Sequence, residues 1–261
     1  MIKNEIYGHF HPDERPFVDK AWEWVQNAGE YHESRLTEFL DPRQAYIVQS
    51  LVNRHPDVQV RWDGGSPGAE RKRGLVAPDY RELENEDMEL QVLEITSGEQ
   101  KFTALEHGDY MGAILGLGIK RGKIGDIHVL DDGCHVVVAA DIAMFLSSHL
   151  TGVHRVLVHT EILPVSALRT REEKLEIMEL SVASLRLDGI ASDVTRVSRS
   201  KILAPIKAGR VRVNWKVEED PSCSLNEGDM VSIQGFGRFR VLEVGGLTKK
   251  GRYRVQVGKF V

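Results

Sequence analysis

Apolar residues along this chain recur in two rhythms, and their order predicts three modules. Phe17, Val18, Ala21, Trp22 and Val25 keep helical spacing, so an amphipathic helix is expected near the start. Asp41-Pro42 announces a second helix: aspartate accepts from the first free N–H groups, and proline is pre-set for the first helical position. Ala45, Val48 and Val52 would form its inner face. Val58 to Trp62 alternates as a strand that stops at Gly64-Gly65, and Pro67 to Arg73 reads as a short charged helix or turn. Residues 1–85 thus form a small α/β segment whose tryptophans are expected in its core, where large apolar side chains usually lie.

From Met88 to Leu163 the rhythm reads strand, helix, strand, strand, helix, strand. The first strand is Leu90 to Thr96, and His107 to Leu117 is a helix with Tyr110, Ala113, Ile114 and Leu117 on one face. Ile124 to Leu130 and Cys134 to Ala139 flank the Asp131-Asp132-Gly133 turn, a hairpin signal. Ile142, Phe145, Leu146 and His149 mark the second helix, and Arg155 to Thr160 the last strand. That order is the ferredoxin-like arrangement of RNA-recognition motifs, expected over residues 86–165. The central strand, Cys134-His135-Val136-Val137-Val138, has none of the usual stacking aromatics, which argues against a base-stacking sheet. The charged stretch 166–183, with Arg169 to Lys174, reads as a helical linker.

Residues 184–261 open on Leu187, Ile190, Ala191 and Val194, one helical face with Ser184 as its expected N-cap. Ser198-Arg199-Ser200-Lys201 starts a second helix that turns Ile202, Leu203 and Ile206 inward and stops at Gly209. Pro205 inside it should kink or shorten it. Val211 to Lys216 reads as one alternating strand, with Val211, Val213 and Trp215 on one face and Arg212, Asn214 and Lys216 on the other. Gly228 to Ile233 and Arg252 to Val257 are later strands, and the glycine-bounded loop between them carries Lys249 and Lys250. The fold class predicted is α+β.

Charge adds a partner to this picture. The chain holds 34 Lys+Arg and 39 Asp+Glu, a net of −5. Residues 182–261 contain 15 basic and 8 acidic side chains, 15 − 8 = +7, which leaves 19 − 31 = −12 for residues 1–181. A basic module joined to an acidic body suggests a polyanion at one end, because clustered cations gain affinity by releasing phosphate counterions. Arg199 and Lys201 sit in the first turn of a helix, where the macrodipole disfavours cations. Two cations and a serine cap make sense there if a phosphate docks.

Three segments resemble the S4 RNA-binding domain: Arg186-Leu187-Asp188, Ser198-Arg199-Ser200, and Lys207-Ala208-Gly209-Arg210-Val211-Arg212-Val213-Asn214. The RNA contacts expected are Arg186, Ser198, Arg199, Ser200, Lys201, Lys207, Arg210, Arg212, Asn214, Lys216, Lys249 and Lys250. Arg186-Leu187-Asp188 also looks like the catalytic triplet of pseudouridine synthases, but it lies inside the S4 helix, so Asp188 is read as a structural or RNA-orienting carboxylate. Gly235-Phe236-Gly237-Arg238-Phe239 looks like an RNA-recognition-motif strand, yet Arg238 displaces its second aromatic, and it is read as S4-domain strand and turn.

Nearly the whole chain resembles the YlmH family of S4-domain proteins. The matching blocks are Leu36 to Gln44, Ala69 to Arg73, and the long stretch Gly112 to Asp126. The last holds Lys120, Arg121 and Lys123, a basic glycine-rich turn and a candidate second RNA contact. The resemblance implies bacterial ribosome-associated RNA binders, with a related branch in cyanobacteria and plastids. Family members are linked to large-subunit quality control on stalled peptidyl-tRNA and, in some lineages, to cell division. The partners so implied are rRNA and tRNA on the large ribosomal subunit, bound by a monomer in the cytoplasm.

Catalysis finds little support. No P-loop, dinucleotide fingerprint or nucleophile elbow occurs. His107, Asp109, Glu94 and Glu106 could be assembled into an acid–base site, and His9 and His11 into a metal pair, but each has a commoner structural reading. Cys134 and Cys223 fall in different domains, as expected in a reducing compartment, and a structural zinc site is not expected. No apolar run approaches the length of a membrane span, and no signal peptide is read at the start. A cofactor-free, metal-free RNA binder is therefore expected, against two alternatives: an S4-targeted RNA-modifying enzyme and a cell-division scaffold.

Overall fold

Proline sits in the first turn of both N-terminal helices, α1 (Arg15–Glu30) and α2 (Pro42–Val52). The computed structural model describes residues 7–98, 105–171, 174–248 and 251–260 and divides into two units, Met1–Arg171 and Glu172–Val261. In α1 the buried face is Val18, Ala21, Trp24, Val25 and Ala28, so Trp24 takes the place expected of Trp22, which is only partly buried. Asp41 caps α2 through the Gln44 N–H, 2.8 Å, and Gln44 returns a side-chain bond to the Asp41 N–H. Strands β1 (Arg35–Leu36), β2 (Val58–Asp63) and β3 (Arg73–Pro78) form an antiparallel sheet in the order β1-β3-β2. The charged segment after Pro67 is turn and bend, and β3, every residue of it buried, takes over at Arg73. Fully buried strands do not alternate in polarity, so periodicity passes them by. The Arg73 guanidinium is satisfied in this core by the carbonyls of Thr37, Met88 and Glu89 at 2.8–3.1 Å.

The next elements are β4 (Leu90–Thr96), α3 (His107–Gly116), β5 (Ile124–Leu130), β6 (Gly133–Ala139) and α4 (Ala140–His149). A small hairpin of β7 (Gly152–Val153) and β8 (Val156–Leu157) precedes β9 (His159–Leu163). The antiparallel sheet runs β5-β6-β4-β9. The last strand is therefore His159–Leu163 and not 155–160, because His154, at φ 53°, reverses the chain into the β7–β8 hairpin first. Leu93, Ile95, Ile124, Val136 and Val138 meet Ile114 and Leu146 in the core between sheet and helices. The opposite sheet face is closed by the unit's own chain. Val137 and Ala139 pack with Phe39 and Leu168, and His135, 1% exposed, lies 3.1 Å from Glu94 Oε1 while accepting the Arg169 N–H at 3.2 Å.

The expected helix over 166–183 does not form. A 3-10 turn at Val165–Ala167 is followed by strand β10 (Leu175–Val182), which opens the second unit. Met178, Leu180 and Val182 point inward with a period of two, the rhythm the neighbouring charges obscured. Helices α5 (Leu187–Thr195) and α6 (Arg199–Lys207) come next. The strands are β11 (Val211–Val213), β12 (Lys216–Val217), β13 (Met230–Ile233), β14 (Gly237–Leu247) and β15 (Tyr253–Phe260). Together with β10 they form a six-stranded sheet, β10-β15-β14-β13-β11-β12, with every pairing antiparallel. Ser184 is not the cap of α5; the helix begins after Arg186, and its Leu187 and Asp188 N–H groups donate to the carbonyls of Cys223 and Pro221. Pro205 stays within α6, which continues to Lys207. Val211–Lys216 is not one strand: Asn214 and Trp215, at φ 50° and 63°, make a two-residue turn into β12. Lys216 consequently pairs with Val213 and stands on the face opposite Arg212.

Candidate nucleic-acid interface

The start of α6 lies against the start of α5 through one buried carboxylate. Asp188, with its side chain 4% exposed, accepts from Arg186 Nε at 3.2 Å and Nη2 at 3.1 Å, and from Arg199 Nη2 at 2.7 Å. Burial works against the charge on Asp188, but the hydrogen bonds from Arg186 and Arg199 hold its carboxyl below the usual carboxylate range. The Arg186 and Arg199 side chains remain 41% and 55% exposed, so each guanidinium can reach a ligand while the carboxylate fixes its position. Ser198 is the N-cap of α6 but makes no side-chain capping bond; its hydroxyl lies 3.0 Å from that of Ser200. Lys201 is exposed in the same turn. The structure thus gathers Arg186, Ser198, Arg199, Ser200 and Lys201 into one patch.

The other expected contacts lie elsewhere. Lys207 and Arg210 lie at the far end of α6, where Lys207 is exposed and about 9 Å along the axis from Lys201. The Asn214 amide is committed to the fold: it donates to Asp229 at 2.8 Å and accepts the Met230 N–H at 3.0 Å. Arg212 and Lys216 are exposed on opposite faces. Lys249 and Lys250 fall outside the described residues.

The basic turn of the first unit is built into its fold. Arg121 donates to the Ile124 and Gly125 carbonyls, and burial, with Arg71 beside it, draws its pKa down to about 10 against the pull of Asp126 and Asp41. Lys123 Nζ lies 2.6 Å from Asp141, and Lys120 is exposed. The Asp126 carboxylate accepts the N–H groups of Glu70 and Arg71 at 2.7 and 3.1 Å, and Arg71 donates to the Phe39 and Ile124 carbonyls. The three family blocks therefore meet in one hydrogen-bonded seam. Asp126→Ala is expected to lower the stability of the first unit by about 1–3 kcal/mol, since two part-buried donors lose their acceptor; an unchanged melting temperature would contradict this reading of the seam.

The residues weighed for catalysis have structural partners. Glu106 and Asp109 form the capping box of α3, His11 caps the Pro12–Glu14 turn, and Glu94 pairs with His135 and Arg169. Burial pushes the Cys134 thiol well above its ordinary pKa. Among the described residues no group of three His, Cys, Asp or Glu side chains is placed to hold a metal ion. No described helix is long and apolar enough to cross a membrane.

Residues 84–167 match the family model described as "Putative RNA-binding domain in YlmH", and residues 13–81 the model described as "YlmH, N-terminal". Over 252 residues, 97% of this chain and 97% of that protein, the sequence is 41% identical to Ribosome-associated protein quality control protein P2 of Bacillus subtilis (strain 168). The chain belongs to the YlmH family. Among solved structures, Cell division protein ylmH from Streptococcus pneumoniae is similar with a TM-score of 0.52 and 28% identity, covering 60% of this chain and 95% of that one. The blocks that carry the YlmH resemblance in the sequence are the ones that meet in the hydrogen-bonded seam of the first unit.

Proposed function

We propose that this chain is a non-catalytic, cytoplasmic ribosome-associated factor that works as a monomer. Its C-terminal unit docks on structured rRNA and tRNA of the large subunit, in quality control of stalled peptidyl-tRNA. The observation that carries this reading is the Arg186–Asp188–Arg199 clamp beside Lys201. A carboxylate that pre-places two guanidiniums at a helix start suits phosphate oxygens, which position a protein on A-form RNA. The α5–α6 pair and its strands support an S4 layout, and the strand order β5-β6-β4-β9 supports a ferredoxin-like middle domain. The ribosomal setting is carried over from the name of the Bacillus subtilis relative.

The test is sedimentation of the full chain with large subunits at low and high salt. Binding that persists at low salt and disappears as salt rises is expected; no co-sedimentation at low salt would refute the reading. A second reading, that the middle domain contacts RNA, is favoured by the description of the family model over residues 84–167. Against base stacking there, Phe39, Leu168 and the His135–Arg169 pair cover its helix-free face.

Fragments separate the two readings. Residues 172–261 are expected to bind rRNA in filter assays, and residues 1–171 weakly or not at all. A fragment starting at Val182 should fold poorly, because it lacks β10 and leaves β15 without its eight-residue partner. Equal affinity of the two larger fragments would move the reader to the middle domain.

A further inference from the structure

The helix-free face of the middle sheet carries a row of ionisable side chains in register. Glu161 of β9 stands opposite Glu94 of β4, Glu94 opposite His135 of β6, and His135 opposite His128 of β5. Directly opposed residues share a face, so all four project on the same side. Residues 165–171, the last stretch of the first unit, lie across this row as a strap. Leu168 packs beside Val137 and Gly65, where an added Cβ would stand 3.5 Å from Leu168 Cδ2 and 3.3 Å from Val137 Cγ1. Arg169 is held through both its main chain and its side chain. Its N–H donates to His135 Nδ1 at 3.2 Å, its Nη1 lies 2.8 Å from Asp132, and its Nη2 lies 3.4 Å from Glu94. His135 is buried, and both of its ring nitrogens are engaged. With Nδ1 used as an acceptor, the neutral ring carries its proton on Nε2, which faces Glu94 Oε1 at 3.1 Å.

We propose that His135 is a proton-operated latch on this strap: the neutral ring holds residues 165–171 against the sheet, and the doubly protonated ring releases them. A second proton can bind only at Nδ1, and there it displaces the Arg169 N–H, because one lone pair cannot accept both. The ring N–H and the amide N–H would then point at each other. The Arg169 guanidinium, with Nε 3.3 Å from His135 Nε2, adds repulsion between like charges. Around the ring, Glu94, Asp132 and Glu161 favour the imidazolium, while His128 and Arg169 oppose it. The acids therefore let the ring take its proton in place, and the bond to the strap is what is lost. Asp132 is not the trigger, since the hydrogen bond from Arg169 holds its carboxyl below the usual carboxylate range. Burial draws the His128 pKa down, with His135 adding to the effect and Asp126 opposing it. Release uncovers Val137 and lengthens the chain that leads out of the first unit by up to about 3.5 Å per freed residue. The latch does not depend on the chain binding RNA.

The test follows the Arg169 amide and the His135 ring nitrogens by nitrogen-15 NMR of the full chain between about pH 8 and pH 5, the span in which histidines change charge. At the upper end the ring is expected to be neutral with its proton on Nε2, and exchange of the Arg169 N–H to be slowed. Toward the lower end the ring should gain its second proton. Protection of the Arg169 N–H, corrected for the intrinsic rate at each pH, should fall by about tenfold with the same midpoint. His135→Gln offers an acceptor and a donor without a change of charge, so its Arg169 protection should not vary with pH. Arg169→Ala keeps the N–H at that position but loses Asp132 and Glu94, so the midpoint should move to higher pH. This exposed substitution decides the matter if His135→Gln fails to fold. A ring that stays neutral throughout, or protection that persists once the ring is protonated, overturns the latch. The same transition in folded His135→Gln, or an unmoved midpoint in Arg169→Ala, overturns it too.

Discussion

Replacing Arg199 and Lys201 with alanine is expected to weaken binding of the full chain to large-subunit rRNA by roughly a hundredfold or more, the effect of removing two charge-assisted hydrogen bonds to phosphate at about 1.5 kcal/mol or more each. The slope of log affinity against log salt should fall by roughly 1.4–1.8, two phosphates at about 0.7–0.9 each. The single variants should differ in stability. Arg199 is half-exposed and tied to Asp188, so Arg199→Ala leaves the carboxylate to Arg186 alone and is expected to cost no more than about 1 kcal/mol. Lys201 is exposed against the positive end of the α6 dipole, so its removal should leave stability unchanged or raise it by a few tenths of a kcal/mol. Weaker binding at full stability in Lys201→Ala separates binding from folding. Unchanged affinity in the folded double variant would remove the α6 start from the interface.

Gly133→Ala is expected to produce the largest drop in stability in the first unit, about 2 kcal/mol or more. Gly133 closes the β5–β6 hairpin at φ 155°, and a Cβ there would overlap the carbonyl oxygen of Ile95 on the paired strand β4. The overlapping atom is backbone within a sheet, which cannot swing aside as a side-chain end could. Thermal or urea unfolding of the full chain measures this. A variant that unfolds with the wild type would mean that the β4–β6 pairing yields locally, contrary to the hydrogen-bonded register. Gly125 makes a milder case: a Cβ there would approach Phe39 Cε1 to 2.7 Å and Val137 Cβ to 3.1 Å, and the phenyl ring has some room to shift.

Where polarity alternates or keeps helical spacing, elements are legible from residues alone. The strands Leu90–Thr96 and Ile124–Leu130 and the inner face of α5 lie where their patterns place them. Three departures share a cause in tertiary context. Strand β3 is buried on both faces and has no alternation to detect. Strand β10 follows a charged run that masks its inward Met178, Leu180 and Val182. The Val211–Lys216 pattern continues in phase through Asn214 and Trp215, although the chain reverses there, because a two-residue turn at positive φ leaves the alternation of residue types untouched.

The α+β class, the basic C-terminal module, the cation pair at the α6 start and the family blocks are all written in local spacing or local composition, so residues alone sufficed to find them. Which of those charges share a surface is written nowhere in the chain's local order. Asp188 joins Arg186 to Arg199 from a different helix, Asn214 and Arg121 donate inside the fold, and Arg212 falls in line with Arg238 on either side of Ser232. Contacts between residues far apart in the chain depend on strand register and helix packing, and a one-residue change in register moves a side chain to the other face of its sheet. The residue types foretold the chemistry available, and the folding of distant segments onto one another set where that chemistry is displayed.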